Sequence, residues 1–200
     1  PQRWLKFQQI ATASWATPAE ALLQLARQIG QFIDAQPVSG AMLGLPGILS
    51  RDRQQVLSLP FIPQLDNQPV AVRLSALLGM PVAMDKDVNH LMLWDLLQRP
   101  TLPDSAVGLY LGTGMGNSLW LNGRFYHGAH GAAGELGHIP FGDRALPCPC
   151  GNHGCAETVT SGHWLSDWAR TQLPGTPLEK VFSDHRHHPE LEAFVTRLAK

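Results

Sequence analysis

The segment Pro81-Val82-Ala83-Met84-Asp85-Lys86-Asp87-Val88-Asn89 contains the change of pattern that decides the fold class. Its first four residues suit a short buried strand. From Val88 onward Leu91, Trp94 and Leu97 recur at helical spacing, which predicts a helix over 88–97. A strand that runs directly into a helix is the repeating unit of an α/β layer. Such a strand delivers Asp85 and Asp87 to its C-terminal end, where α/β sheets place their ligands. An aspartate there can act as general base toward a hydroxyl or can cap the following helix. Local sequence alone favours the cap.

The same alternation extends on both sides. Thr17-Pro18-Ala19-Glu20 is a capping box with proline at the first helical position. Leu22, Leu25, Ala26, Ile29 and Ile33 then fall on one face, which predicts a helix over about 18–34. A strand is expected over 38–43, ending in the loop Gly44-Leu45-Pro46-Gly47, and a helix over 69–78 stopped by Gly79. Pro100 and Pro103 mark a domain boundary, so that 1–100 and 104–200 read as parts of two domains. Beyond it come a strand over 106–111 and strands over 118–121 and 124–126 joined by Asn122-Gly123, a strong hairpin signal. Helices are predicted over 163–173 and 189–200, and the polar run Asp184 to His188 reads as a solvated loop.

Composition limits the function classes. Charged residues make up 16% and the net charge is −1, which excludes nucleic-acid binding through gross positive charge and charge-driven disorder. No stretch reaches the roughly 18 apolar residues of a membrane span. The start Pro1-Gln2-Arg3-Trp4 has neither initiator Met nor a signal pattern, which points to a fragment or a processed end. The three cysteines lie within eight positions, a poor disulfide framework and a good metal site in a reducing, cytoplasmic compartment.

Twelve of the 19 glycines lie between Gly108 and Gly154, so the chemistry is sought there. Gly112-Thr113-Gly114-Met115-Gly116 follows a strand and can turn backbone N–H groups toward an anion. Gly131-Ala132-Ala133-Gly134-Glu135-Leu136-Gly137-His138 sets a carboxylate and an imidazole three apart, which suits a polyhydroxylated ligand. Cys148-Pro149-Cys150 and Cys155, with Gly151 and Gly154 between them, can aim three sulfurs at one zinc ion. The fourth ligand is sought among His138, the natural candidate, and its competitors His130 and His153. Four protein ligands would make the zinc structural and leave no open position for a hydrolase. Glu157 would be carried into the same region by the metal loop.

Together these motifs resemble the ROK family of bacterial repressors, open reading frames and sugar kinases. The stretch from Gly128 to Ile139 is similar to the family's sugar-binding signature, and that from Cys148 to Glu157 to its zinc motif. Gly112 to Gly116 resembles its second phosphate motif, Asp87-Val88-Asn89 its catalytic Asp segment, and Gly44 to Gly47 its sugar-side loop. The resemblance implies an actin-like ATPase (ribonuclease H-like) fold of two α/β domains, and transfer of the ATP γ-phosphoryl group to a hexose hydroxyl, the 6-hydroxyl. It implies Asp87 as general base, and Lys86, Asp87, Gly47, Glu135, His138 and Glu157 around the sugar. Gly112, Thr113 and Gly114 would face the ATP phosphates. His138, Cys148, Cys150 and Cys155 would bind structural Zn2+, with Mg2+ accompanying ATP. A homodimer at full length, with no membrane or nucleic-acid partner for this segment, completes the expectation.

Lys86 stands where the family often has Asn, and the surrounding sequence looks closest to the D-allose kinase branch. No Asp-x-Gly-Gly-Thr loop precedes Thr17 and no late Gly-Gly-Gly turn follows. The fold is therefore expected to be incomplete at both ends, the middle of a kinase of roughly 300 residues that is inactive as this segment alone. The rival reading is a ROK-type sugar-responsive repressor whose DNA-binding helices lie outside this segment.

Overall fold

A computed structural model of the chain describes residues 8–12, 15–34, 36–141 and 143–199. Pro1 to Trp4 and the last residue of the helix expected over 189–200 lie outside the described residues. The chain forms two compact units. One runs through Pro103 and takes in Phe125–Ala133; the other comprises Asp104–Arg124 and the chain from Gly134. The chain thus crosses between them three times, where the sequence suggested one cut.

The first unit begins with α1 (Pro18–Ile33). Thr17 Oγ1 accepts from the Glu20 N–H at 3.2 Å, and Glu20 Oε2 returns to the Ala16 N–H at 3.1 Å, so the capping box forms as the sequence implies. Strand β1 (Ala41–Leu45) leads into a hairpin of β2 (Ile48–Leu49) and β3 (Val56–Ser58). Helix α2 (Val70–Leu78) ends on Gly79 at φ 65°, β4 (Val82–Lys86) follows, and α3 (Asp87–Leu97) starts without a linking residue. β1 and β4 pair in parallel from Ala41↔Val82 to Leu45↔Lys86. Their C-terminal ends therefore lie side by side, with Pro46 leaving one and Asp87 the other. Leu22, Leu49, Val56, Leu59, Leu65, Val70 and Leu74 fill the core, each fully buried side chain contributing about 1.5–3 kcal/mol.

Two expectations need correction here. The strand expected over 38–43 lies at Ala41–Leu45, with Val38 exposed. Gly44 and Leu45, read as loop, pair with Asp85 and Lys86, because the parallel ladder outweighs the weak strand propensity of glycine. Gly44 also has no room for a side chain: a Cβ would stand 2.7 Å from His90 Nδ1 and 3.2 Å from the Asp87 Cα. Its absence lets the first turn of α3 approach β1. On α3 the inward stripe is Val88, Met92 and Leu96, while Leu91, Trp94 and Leu97 are exposed. The helix carries two apolar stripes, and spacing does not say which one meets the sheet.

In the second unit β5 (Ser105–Leu111) pairs antiparallel with β6 (Met115–Leu121), from Ser105↔Leu121 to Leu111↔Met115. Asn122 (φ 53°) and Gly123 (φ 71°) make the left-handed two-residue turn into β7 (Arg124–Phe125). After the glycine-rich region come α4 (Glu157–Thr160), α5 (Gly162–Gln172), α6 (Val181–His185) and α7 (Pro189–Leu198). Leu165, Trp168, Val181, Leu191 and Phe194 form their core, with Trp164 stacked on Phe194 at 4.7 Å. Asp184 and His185, read as loop, belong to α6, which Val181 anchors from its buried side; His188 instead caps α7, accepting from the Glu190 N–H at 3.3 Å. No helix among the described residues is long and apolar enough to cross a membrane.

Candidate functional site

The second unit gathers the metal candidates. A 3-10 turn, Leu136–His138, ends on His138. The cysteine loop then doubles back on Gly151 (φ 92°) and Gly154 (φ 70°), with Cys148 N–H donating to Asn152 O at 2.8 Å and Gly154 N–H to Leu146 O at 2.8 Å. The ligand atoms of His138, Cys148, Cys150 and Cys155 all come within 4.8 Å of one another. Cys148 Sγ lies 3.6 Å from His138 Nδ1, and Cys150 Sγ lies 3.7 Å from Cys155 Sγ. Tetrahedral zinc, with bonds of about 2.3 Å to sulfur and about 2.0–2.1 Å to nitrogen, sets its ligands roughly 3.5–3.8 Å apart. The donor set and spacing fit that ion. Burial pushes the Cys155 thiol up to about 12 and raises Cys148, while the Asn152 N–H holds Cys150 below its usual value. A divalent cation would reverse the upward shifts by stabilising thiolates. His130 and His153 take no part in this cluster.

His138 is shared. With Nδ1 on the sulfur side, its Nε2 lies 4.0 Å from Glu135 Oε2. Buried Asn117 on β6 anchors this turn, its Oδ1 accepting from the Leu136 N–H at 2.9 Å. Glu157, first residue of α4, anchors the next one: its Oε2 accepts from the Met115 N–H at 2.7 Å.

The turn Gly112 to Gly114 is held from behind. Its Gly112 and Thr113 carbonyls accept from the Gly162 and His163 N–H groups at 2.8 and 3.0 Å, the first two donors of α5. A trans peptide sets each N–H opposite its carbonyl. The N–H groups of Thr113 and Gly114 are therefore directed away from α5, the orientation an anion requires. A Cβ on Gly162 would stand 2.4 Å from Gly112 O, so only glycine lets α5 approach this closely.

The first unit holds the remaining candidates. Asp87 opens α3, and its Oδ1 accepts from the Val88 N–H at 2.8 Å. Lys86 is buried and its Nζ donates to Ala133 O at 3.3 Å. Gly47 lies against β3, where a Cβ would meet Ser58 O at 2.2 Å. Asp85, weighed in the sequence only as a cap or base, sits in a network: Oδ1 accepts from Lys86 N–H and Asn89 Nδ2, both at 2.8 Å, and Oδ2 lies 2.9 Å from His127 Nε2. Burial would raise its pKa, but the hydrogen bonds from His127, the Lys86 N–H and Asn89 outweigh it and hold the carboxyl below the usual range. Arg53 approaches the same carboxylate at 3.6 Å. Sequence reasoning missed Arg53 and His127. His127 does precede Gly128 of the glycine-rich loop, but Arg53 has no local signal.

The ROK family profile matches residues 4–200, and the chain belongs to the ROK family. It is 33% identical over 175 residues to an N-acetyl-D-glucosamine kinase of Vibrio cholerae, covering 78% of this chain and 57% of that protein. A ROK family glucokinase from Streptomyces griseus, solved with glucose and AMPPNP, is 25% identical with a TM-score of 0.70, covering 82% of this chain and 53% of that one. A ROK family transcriptional regulator, homolog of the E. coli MLC protein, is 28% identical with a TM-score of 0.67, covering 82% and 43%. The fold is the α/β, actin-like ATPase fold of the family. The chain spans 57% of the length of the Vibrio cholerae relative and 60% of that of a Yersinia pseudotuberculosis N-acetyl-D-glucosamine kinase.

Proposed function

We propose that this chain carries the acceptor side and one phosphate turn of an ATP-dependent hexose kinase. The observation that carries the reading is the turn Gly112 to Gly114, whose Gly112 and Thr113 carbonyls are tied to α5 so that the Thr113 and Gly114 N–H groups face outward. The likeness to N-acetyl-D-glucosamine kinases at 33–34% identity supports the kinase over a sugar-responsive repressor. The first unit belongs to the smaller, sugar-side domain and the second to the larger one. Asp87 takes the proton from the sugar 6-hydroxyl as that oxygen bonds to the γ-phosphorus. The bond from that phosphorus to the β–γ bridging oxygen breaks, and ADP leaves with the electron pair. The Thr113 and Gly114 N–H groups donate to the ATP phosphates, while Gly112, whose own N–H donates to Gly114 O at 3.0 Å, shapes the turn that faces them; Mg2+ bound with ATP would supply charge stabilisation. Glu135 and Glu157 accept hydrogen bonds from sugar hydroxyls, and His138, with Nδ1 on the sulfur side, donates to one from Nε2. His138, Cys148, Cys150 and Cys155 hold a structural zinc that orients the imidazole.

The acceptor is a hexose of the N-acetyl-D-glucosamine or D-allose kind. The kinship to N-acetyl-D-glucosamine kinases supports the first. Lys86, a donor-only group buried against the Ala133 carbonyl, supports the second, because it changes which hydroxyls can be read. The test is a coupled ATP assay on the whole protein, at the length of its relatives, against a panel of hexoses. Turnover with one sugar, abolished in Asp87→Asn with sugar affinity kept within about threefold, is expected. Sugar-dependent DNA binding without turnover would establish the repressor instead.

A further inference from the structure

Asp85 joins four separate pieces of the first unit. Its backbone ends β4, and Asn89 Nδ2 of α3 donates to its Oδ1 at 2.8 Å. Arg53, on the turn between β2 and β3, brings Nε to 3.6 Å, and His127 brings Nε2 to 2.9 Å. Arg53 and His127 both control the loop 128–133. Arg53 Nη1 donates to Gly131 O at 3.4 Å, and His127 O accepts from the Ala133 N–H at 3.1 Å, closing the loop on itself. The loop lies directly on the hairpin backbone: a Cβ on Gly131 would meet Leu49 O at 2.2 Å.

Arg53 is placed there against local preference. Its φ is 58°, a left-handed conformation that Gly or Asn adopts with less strain. Its side chain is only 12% exposed, and Nε and Nη2 are buried without a hydrogen-bond partner. Among the described residues Asp85 is the carboxylate that pairs with it. A strained backbone and a buried guanidinium persist where the reach of that side chain has a use.

We propose that Asp85 is a positioning residue: by holding Arg53 and His127 its carboxylate ties the loop 128–133 to the β4–α3 junction that carries Lys86 and Asp87. The consequence for catalysis rests on the kinase reading; the tie itself does not. In the chain Glu135 follows this loop by two residues. Lys86 Nζ on Ala133 O adds a second tie from the same junction.

The test is Asp85→Asn in the whole protein, which keeps the shape and removes the charge. Hydrogen exchange in peptides covering 128–133 should quicken by about tenfold or more while peptides of β5 and β6 are unchanged. The KM for sugar should rise about tenfold with the KM for ATP within about twofold. Unchanged exchange in the loop overturns the proposal whatever the kinetics show. Equal weakening of sugar and ATP also overturns it, because that is general damage rather than positioning. If the single variant does not fold, Arg53→Gln/Asp85→Asn removes the buried charges together. Fast loop exchange in that pair supports the tie, and wild-type exchange in it shows that the single variant suffered only from an unpaired charge. Should the wild type phosphorylate no hexose, the kinase reading falls, and the exchange measurement still decides on Asp85.

Discussion

Replacing Gly162 by Ala isolates the phosphate turn from everything else in the second unit. The new Cβ would stand 2.4 Å from Gly112 O, where an ordinary contact begins at 3.4 Å, so the turn must retreat by about 1 Å. That retreat breaks the Gly162 N–H bond to Gly112 O, now 2.8 Å, at about 0.5–1.5 kcal/mol. Alanine within a helix returns up to about 1 kcal/mol, so overall stability should change little. A misplacement of about 1 Å in a positioning group costs roughly 100-fold in rate, equivalent to about 2.7 kcal/mol of barrier. In steady-state assays of the whole protein, kcat/KM for ATP should fall about 100-fold, with sugar affinity by calorimetry unchanged within about twofold. Wild-type ATP kinetics in a folded Gly162→Ala protein would refute the claim that α5 braces a working phosphate turn.

Other perturbations address different links. Cys150→Ser should abolish stoichiometric zinc in elemental analysis and lower the melting temperature; full zinc content would remove Cys150 from the ligand set. Gly30→Ala, on α1 with nothing within 4 Å of the added Cβ, should raise the unfolding free energy by about 0.5–1 kcal/mol in urea titrations, and a loss would show a hidden contact. The depressed pKa of Asp85 contributes stability above the unfolded carboxyl value of about 3.9, and that contribution fades as pH falls through the folded value. The stability gap between wild type and Asp85→Asn should therefore narrow below about pH 4, and a gap independent of pH would mean that the carboxylate charge is not what matters.

Local chemistry in the sequence was enough wherever a residue acts on its own neighbourhood. Thr17 caps α1, Gly79 ends α2, and Asn122-Gly123 turns the hairpin, because each effect is confined to one turn of backbone. The cysteine spacing was legible for the same reason, since Gly151 and Gly154 double back a short loop. Legibility failed where a distant partner decides. Gly44 and Leu45 look like a loop until the ladder to Asp85 and Lys86 exists. The outward face of α3 could not be told from the inward one. Asp85 looks like a helix cap; its actual partners, Arg53 and His127, are 32 and 42 positions away in the chain.

The candidate metal cluster and the proposed sugar-binding residues are one structural problem, because His138 is placed in both. Its Nδ1 is committed to the sulfur side at 3.6 Å and its Nε2 lies 4.0 Å from Glu135. A metal bond at Nδ1 fixes the tautomer and the ring plane, leaving Nε2 as the N–H donor. Glu135 then has that donor 4.0 Å from its Oε2. The carboxylate and the imidazole are half-buried, 36% and 33% accessible. Zinc held by these four residues would have no hydrolytic role but would still act on the proposed recognition: chelation should raise the KM for sugar before it unfolds the protein, starting from Cys150, the exposed cysteine of the cluster.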